Sequence, residues 1–157
     1  MLTNESREEK SEGAIQPTKG VDLHRNRPRL LVVEDDAEMR ELLVEVLREE
    51  GWEPVEAANG AEGLLCLHRE CFDAVIMDQK MPGLSGLDLL PGIRTICPRA
   101  PVILITAFGD AAMHQEAMKN GAFDFLFKPF RMEDLIEVLR RALARGKFSA
   151  GALAADG

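Results

Sequence analysis

No apolar run in this chain approaches the roughly 20 residues that a bilayer-spanning helix needs. The N-terminus mixes charges and has no apolar core segment, which argues against a secretory signal. Basic residues are in the minority: the net charge is -8, and a general nucleic-acid surface needs a basic face. Histidine and cysteine are scarce and scattered, so no cluster suits zinc. The three cysteines, Cys66, Cys71 and Cys97, lack CxxC spacing. They read as free thiols filling a core in a reducing cytoplasm. No internal repeat is visible, and no glycine-rich phosphate loop follows the first apolar run.

What remains is a chain of 157 residues, about one domain by length. Hydrophobic residues make up 46% of it, enough for a single core. Residues 1–28 are polar and aperiodic, and are expected to form a disordered or loosely packed arm. The folded region is expected over 29–146, followed by a flexible small-residue tail over 147–157. Within 29–146, short apolar runs alternate with helix-period segments, the pattern of a parallel α/β sheet. Strands are predicted at 29–34, 52–57, 73–78, 102–106 and 123–127. Helices are predicted at 37–50, 60–69, 86–96, 110–120 and 131–145, the last ended by Gly146. Pro91-Gly92 falls inside the third helix and predicts a kink or a late start there. Short connections and right-handed crossovers give a doubly wound (βα)5 sheet with helices on both faces.

Four of the apolar runs close on chemistry-bearing residues. Leu30-Leu31-Val32-Val33 ends on Glu34-Asp35-Asp36, and Ala74-Val75-Ile76-Met77 ends on Asp78. Val102-Ile103-Leu104-Ile105 ends on Thr106, and Phe125-Leu126-Phe127 ends on Lys128-Pro129. In the flavodoxin-like strand order 2-1-3-4-5, one of two common arrangements, these ends meet at the crevice where ligands bind. Grouped carboxylates repel, and a hard cation such as magnesium, with oxygen ligands, removes the penalty. Asp78 is then placed as a nucleophile toward phosphorus, with Lys128 and the Thr106 hydroxyl offsetting charge on phosphoryl oxygens. Each residue alone has a plain alternative: Asp35 or Asp36 can cap a helix, and Lys128 can be a solvated cation. Their joint placement at the ends of different strands is what points to a site.

At these residues the chain resembles the receiver domain of two-component response regulators. The resemblance runs from about Arg29 to Arg145 and rests on LLVVEDD (30–36), AVIMDQKMPGLSGLDLL (74–90), VILITAFGD (102–110) and GAFDFLFKPF (121–130). It implies phosphorylation of Asp78 by a histidine kinase or phosphotransfer protein. It also implies Mg2+ held by Glu34, Asp35, Asp78 and the Lys80 backbone carbonyl, and a switch through Thr106 and Phe125. Asp36 falls outside the metal set and reads as a cap or as a group supporting the metal ligands from behind. Relatives often carry Tyr where Phe125 stands, so coupling here acts through packing of the helix 4–strand 5–helix 5 face. The Lys128-Pro129 bond is expected to be cis, and Lys80 and Phe108 are expected to tune phosphate lifetime. The resemblance further implies a cytoplasmic phosphoacceptor rather than an enzyme, a monomer or phosphorylation-dependent dimer, with no membrane and no direct DNA contact by this segment. The output partner is left open. The wording of GAFDFLFKPF resembles receivers that precede transcriptional ATPase modules, so a module cut from a longer regulator stands beside a stand-alone receiver. The competing reading is an aspartyl-phosphate phosphohydrolase. Such enzymes carry a second Asp two residues after the nucleophile, where this chain has Lys80. A phosphate-independent scaffold is disfavoured by the intact Glu34, Asp35, Asp78, Thr106 and Lys128 set.

Overall fold

The computed structural model describes residues 27–107 and 111–156, with side chains described through residue 145. Most of the N-terminal stretch 1–28, and Phe108, lie outside the described residues. Among the described residues, five strands alternate with five helices: β1 Arg29–Val33, α1 Ala37–Glu49, β2 Glu53–Ala57, α2 Gly60–Arg69, β3 Ala74–Asp78, α3 Gly86–Ile96, β4 Val102–Thr106, α4 Ala111–Lys119, β5 Asp124–Phe127 and α5 Met132–Asp156. The strands form one parallel sheet in the order β2-β1-β3-β4-β5. This is the doubly wound, flavodoxin-like arrangement.

The sheet is covered on both sides, so the central strands need apolar residues at every position. All five residues of β3 and of β4 are buried. Strand alternation sorts them into two cores. Leu31, Val33, Val75, Met77, Val102 and Leu104 face α2, α3 and α4. Leu30, Val32, Ile76, Ile103 and Ile105 face α1 and α5, where Leu43, Leu47, Leu135 and Leu139 meet them. Trp52, just before β2, packs against this second core.

Local signals start the helices. Asp36 caps α1 by accepting from the Glu38 and Met39 N–H groups. Asn59 caps α2 through Glu62 N–H. Ser85 and Asp88 form a reciprocal capping box at α3. That box explains why the late start suggested by Pro91 is not seen: α3 begins at Gly86 and runs through Pro91 to Ile96.

Two sequence expectations are corrected. The last helix does not stop at Gly146 but continues to Asp156. A helical glycine costs only about 1 kcal/mol against alanine, and good helix formers follow at 150, 152, 154 and 155. The cysteines are not all free: Cys71 and Cys97 form a disulfide with Cα atoms 5.8 Å apart, leaving Cys66 as the free thiol. Cys71 lies in the α2–β3 turn and Cys97 caps the C-terminus of α3. Packing of α3 against the sheet joins them across 26 residues, which no local spacing announces. Among the described residues, no helix is long and apolar enough to cross a membrane.

Candidate functional site

The carboxyl ends of the four strands meet as their order requires. Glu34 extends β1 by one residue, its N–H donating to the Ala57 carbonyl at 3.0 Å. Asp78 is the last residue of β3 and pairs with Ile105 of β4. Thr106 ends β4 opposite Phe127, and its carbonyl accepts the Lys128 N–H at 2.6 Å. The Lys128-Pro129 bond is cis. Carboxylate oxygens of Glu34, Asp35 and Asp78 lie within 4.8 Å of one another. The Lys128 ammonium reaches this group, with Nζ 3.8 Å from Asp78 Oδ1 and 3.9 Å from Glu34 Oε1. Glu34, Asp78 and Thr106 are buried, and Asp35 is exposed.

Burial sets the electrostatics. Loss of water pushes the Glu34 carboxyl up from 4.5 to about 7. The Asp36 N–H, 3.1 Å from Glu34 Oε2, opposes that rise, as does Lys128, while the Asp78 and Asp35 charges add to it. Asp78 is also raised, again chiefly by burial. Lys128 and the Lys80 N–H act against that shift. Two buried carboxyls and a third at the rim are therefore only partly compensated by one ammonium. The donors in the cluster are all oxygen, which suits a hard divalent cation and not a thiophilic one.

The surrounding main chain is pinned by residues that sequence patterning did not single out. Arg40, one turn into α1, donates from Nη1 to the Glu34 carbonyl at 2.7 Å and from Nε to Glu56 Oε1 at 3.1 Å. It ties the acidic loop to the ends of β1 and β2. Gln79, directly after Asp78, is buried and bonds to the start of α3. Neither has a local motif; an arginine on a helix and a glutamine after a strand are ordinary until the fold closes. Asp36 is a cap, as expected. Phe125 is buried, with its ring edge-on to His114 at 5.7 Å and to Phe127 at 5.2 Å between centroids. Lys80 is exposed, and its N–H lies 3.4 Å from Asp78 Oδ1.

Known proteins resemble this chain over the region that carries the cluster. The family model for the response regulator receiver domain matches residues 30–140. The chain is 42% identical over 113 residues to the response regulator protein FleR of Pseudomonas aeruginosa, covering 72% of this chain and 24% of FleR. It is 39% identical over 114 residues to the chemotaxis protein CheY of Thermotoga maritima, covering 72% of this chain and 95% of CheY. It thus spans about a quarter of the first relative and nearly all of the second. The receiver domain structure from Clostridium thermocellum superposes with a TM-score of 0.74 at 36% identity, over 77% of this chain and 98% of that one.

Proposed function

The chain belongs to the response regulator receiver family, and from that premise we propose that it takes a phosphoryl group on Asp78 from a histidine kinase or phosphotransfer protein. Receiver domains are phosphoacceptor switches of two-component signalling, not turnover enzymes. The observation that carries the residue assignment is the convergence of three carboxylates within 4.8 Å, with the Lys128 ammonium 3.8 Å from Asp78, at the carboxyl edge of the sheet.

In the transfer, a carboxylate oxygen of Asp78 attacks phosphorus, the P–N bond to the donor histidine breaks, and the histidine leaves with the bond's electron pair. Glu34, Asp35, Asp78 and the Lys80 backbone carbonyl would hold magnesium, which supplies positive charge to the carboxylates and the incoming phosphoryl oxygens. Lys128, with Nζ 3.8 Å from Asp78 Oδ1, contributes a second positive charge. The Thr106 hydroxyl, at the end of the neighbouring strand, donates to a phosphoryl oxygen. Burial of Asp78 limits water attack on the acyl phosphate, and the exposed Lys80 side chain, two residues on, tunes the phosphate lifetime. Phosphorylation draws Thr106 toward the phosphoryl group and changes the packing of Phe125 between His114 and Phe127. The α4–β5–α5 face then shifts toward a partner-binding state already present in the resting population. That state acts on an output partner.

Incubation with Mg2+ and acetyl phosphate, followed by intact mass measurement, tests the reading. The wild type gains one phosphoryl group and Asp78→Asn gains none. A wild type of unchanged mass, or an equal gain in Asp78→Asn, overturns the assignment.

A further inference from the structure

Gln79 is a buried polar residue beside Asp78 that takes no part in the chemistry above. Its backbone N–H donates to the Ile105 carbonyl at 2.6 Å, continuing the β3–β4 ladder one residue past Asp78. Its own carbonyl accepts the Gly86 N–H at 2.9 Å, and its side-chain Oε1 accepts the Leu87 N–H at 2.8 Å. Gly86 and Leu87 are the first two residues of α3. First-turn N–H groups have no acceptor within their own helix. The third such donor, Asp88 N–H, is taken by the Ser85 hydroxyl at 3.1 Å. One residue at the end of β3 therefore satisfies two amides of a helix that starts seven positions later.

The joint is tight. A Cβ on Gly86 would lie 2.7 Å from Leu104 Cδ2 and 3.1 Å from both the Asp78 carbonyl oxygen and Gln79 Oε1. Both ends of the 80–85 loop are thus fastened to Gln79. Lys80, the loop's first residue, directs its N–H at Asp78 Oδ1.

We propose that Gln79 is a positioning residue of the site: by clamping the start of α3 to the end of β3, it closes the 80–85 loop and holds the Lys80 main chain in register with the Asp78 carboxylate. The inference rests on the reading of Lys80 and Asp78 given under Proposed function and adds a residue to it. An isosteric side chain without an acceptor leaves the part-buried Leu87 N–H without its partner and the loop fastened at one point fewer.

Gln79→Met makes that change, and Gln79→Glu keeps the acceptor. Amide exchange on metal-free protein and Mg2+ titration by calorimetry read the result. In the wild type the Leu87 amide is protected, unlike an ordinary first-turn amide. In Gln79→Met its exchange accelerates at least tenfold and the Mg2+ dissociation constant rises by about tenfold, the usual scale for losing a group that orients metal ligands. Protection in β1 and α1 stays unchanged, and Gln79→Glu retains the Leu87 protection. An unprotected Leu87 amide in the wild type overturns the clamp, and this measurement decides alone if Gln79→Met does not fold. Unchanged Mg2+ affinity in a folded Gln79→Met removes its positioning role. Neither measurement uses a phosphoryl donor, so failure of Asp78 to take a phosphoryl group is a separate result.

Discussion

Metal-free protein loses stability as the pH rises from about 5 to 7, and Glu34 is the cause. Its carboxyl is 2% exposed and sits at about 7 in the folded chain against 4.5 when unfolded. Between those values the folded state holds a proton that the unfolded chain has released, so raising the pH favours unfolding. The full gap corresponds to about 3–4 kcal/mol, using about 1.4 kcal/mol per pH unit of displacement. For a domain of this size that is roughly 7–14 °C in melting temperature. Asp78 is displaced in the same direction and adds to the slope. Thermal unfolding in a chelating buffer across pH 5–8, repeated with Mg2+, reads the effect. The metal-free midpoint falls through this range and levels above pH 7. Saturating Mg2+ flattens the fall by compensating the ionised carboxylates. Glu34→Gln also flattens it, and because that variant keeps the histidines, the difference between the two proteins isolates Glu34. A metal-free midpoint that rises through pH 5–7, or a Glu34→Gln protein with the wild-type slope, refutes the reasoning.

Lys128 and a divalent cation compensate the same carboxylates, so Lys128→Met binds Mg2+ more tightly, by at least about threefold, in calorimetric titration. The same variant takes a phosphoryl group from acetyl phosphate about a hundredfold more slowly, followed by mass. Gly121 has φ +100°, and a Cβ there would lie 2.7 Å from Arg94 Nε. Gly121→Ala therefore lowers urea stability by about 1–3 kcal/mol. Thiol titration of denatured, unreduced protein counts one cysteine, Cys66, and three after reduction.

Periodicity carried most of the fold. Val102-Ile103-Leu104-Ile105 and Ala74-Val75-Ile76-Met77 are unbroken apolar runs because both sheet faces are covered, and they became the two fully buried strands. Boundaries held where a cap was written locally, as at Ser85 and Asn59. They failed where a breaker was weak: Gly146 does not end α5. Glu34, Asp35, Asp78 and Lys128 were legible as strand-end residues and are brought together. The disulfide was misread, since Cys71 and Cys97 meet only after α3 docks on the sheet.

The residue types and their order along the chain were enough to specify parallel strands, their covering helices and the acidic, cationic and hydroxyl groups at the strand ends, because these follow from local period and from the period-two alternation of strands. The chain alone did not disclose that Glu34 is buried enough to hold its proton near neutrality, that Arg40 grips the Glu34 carbonyl, or that Gln79 caps a helix it does not belong to. Those depend on desolvation and on hydrogen bonds between segments distant in sequence, and both arise only when the elements pack.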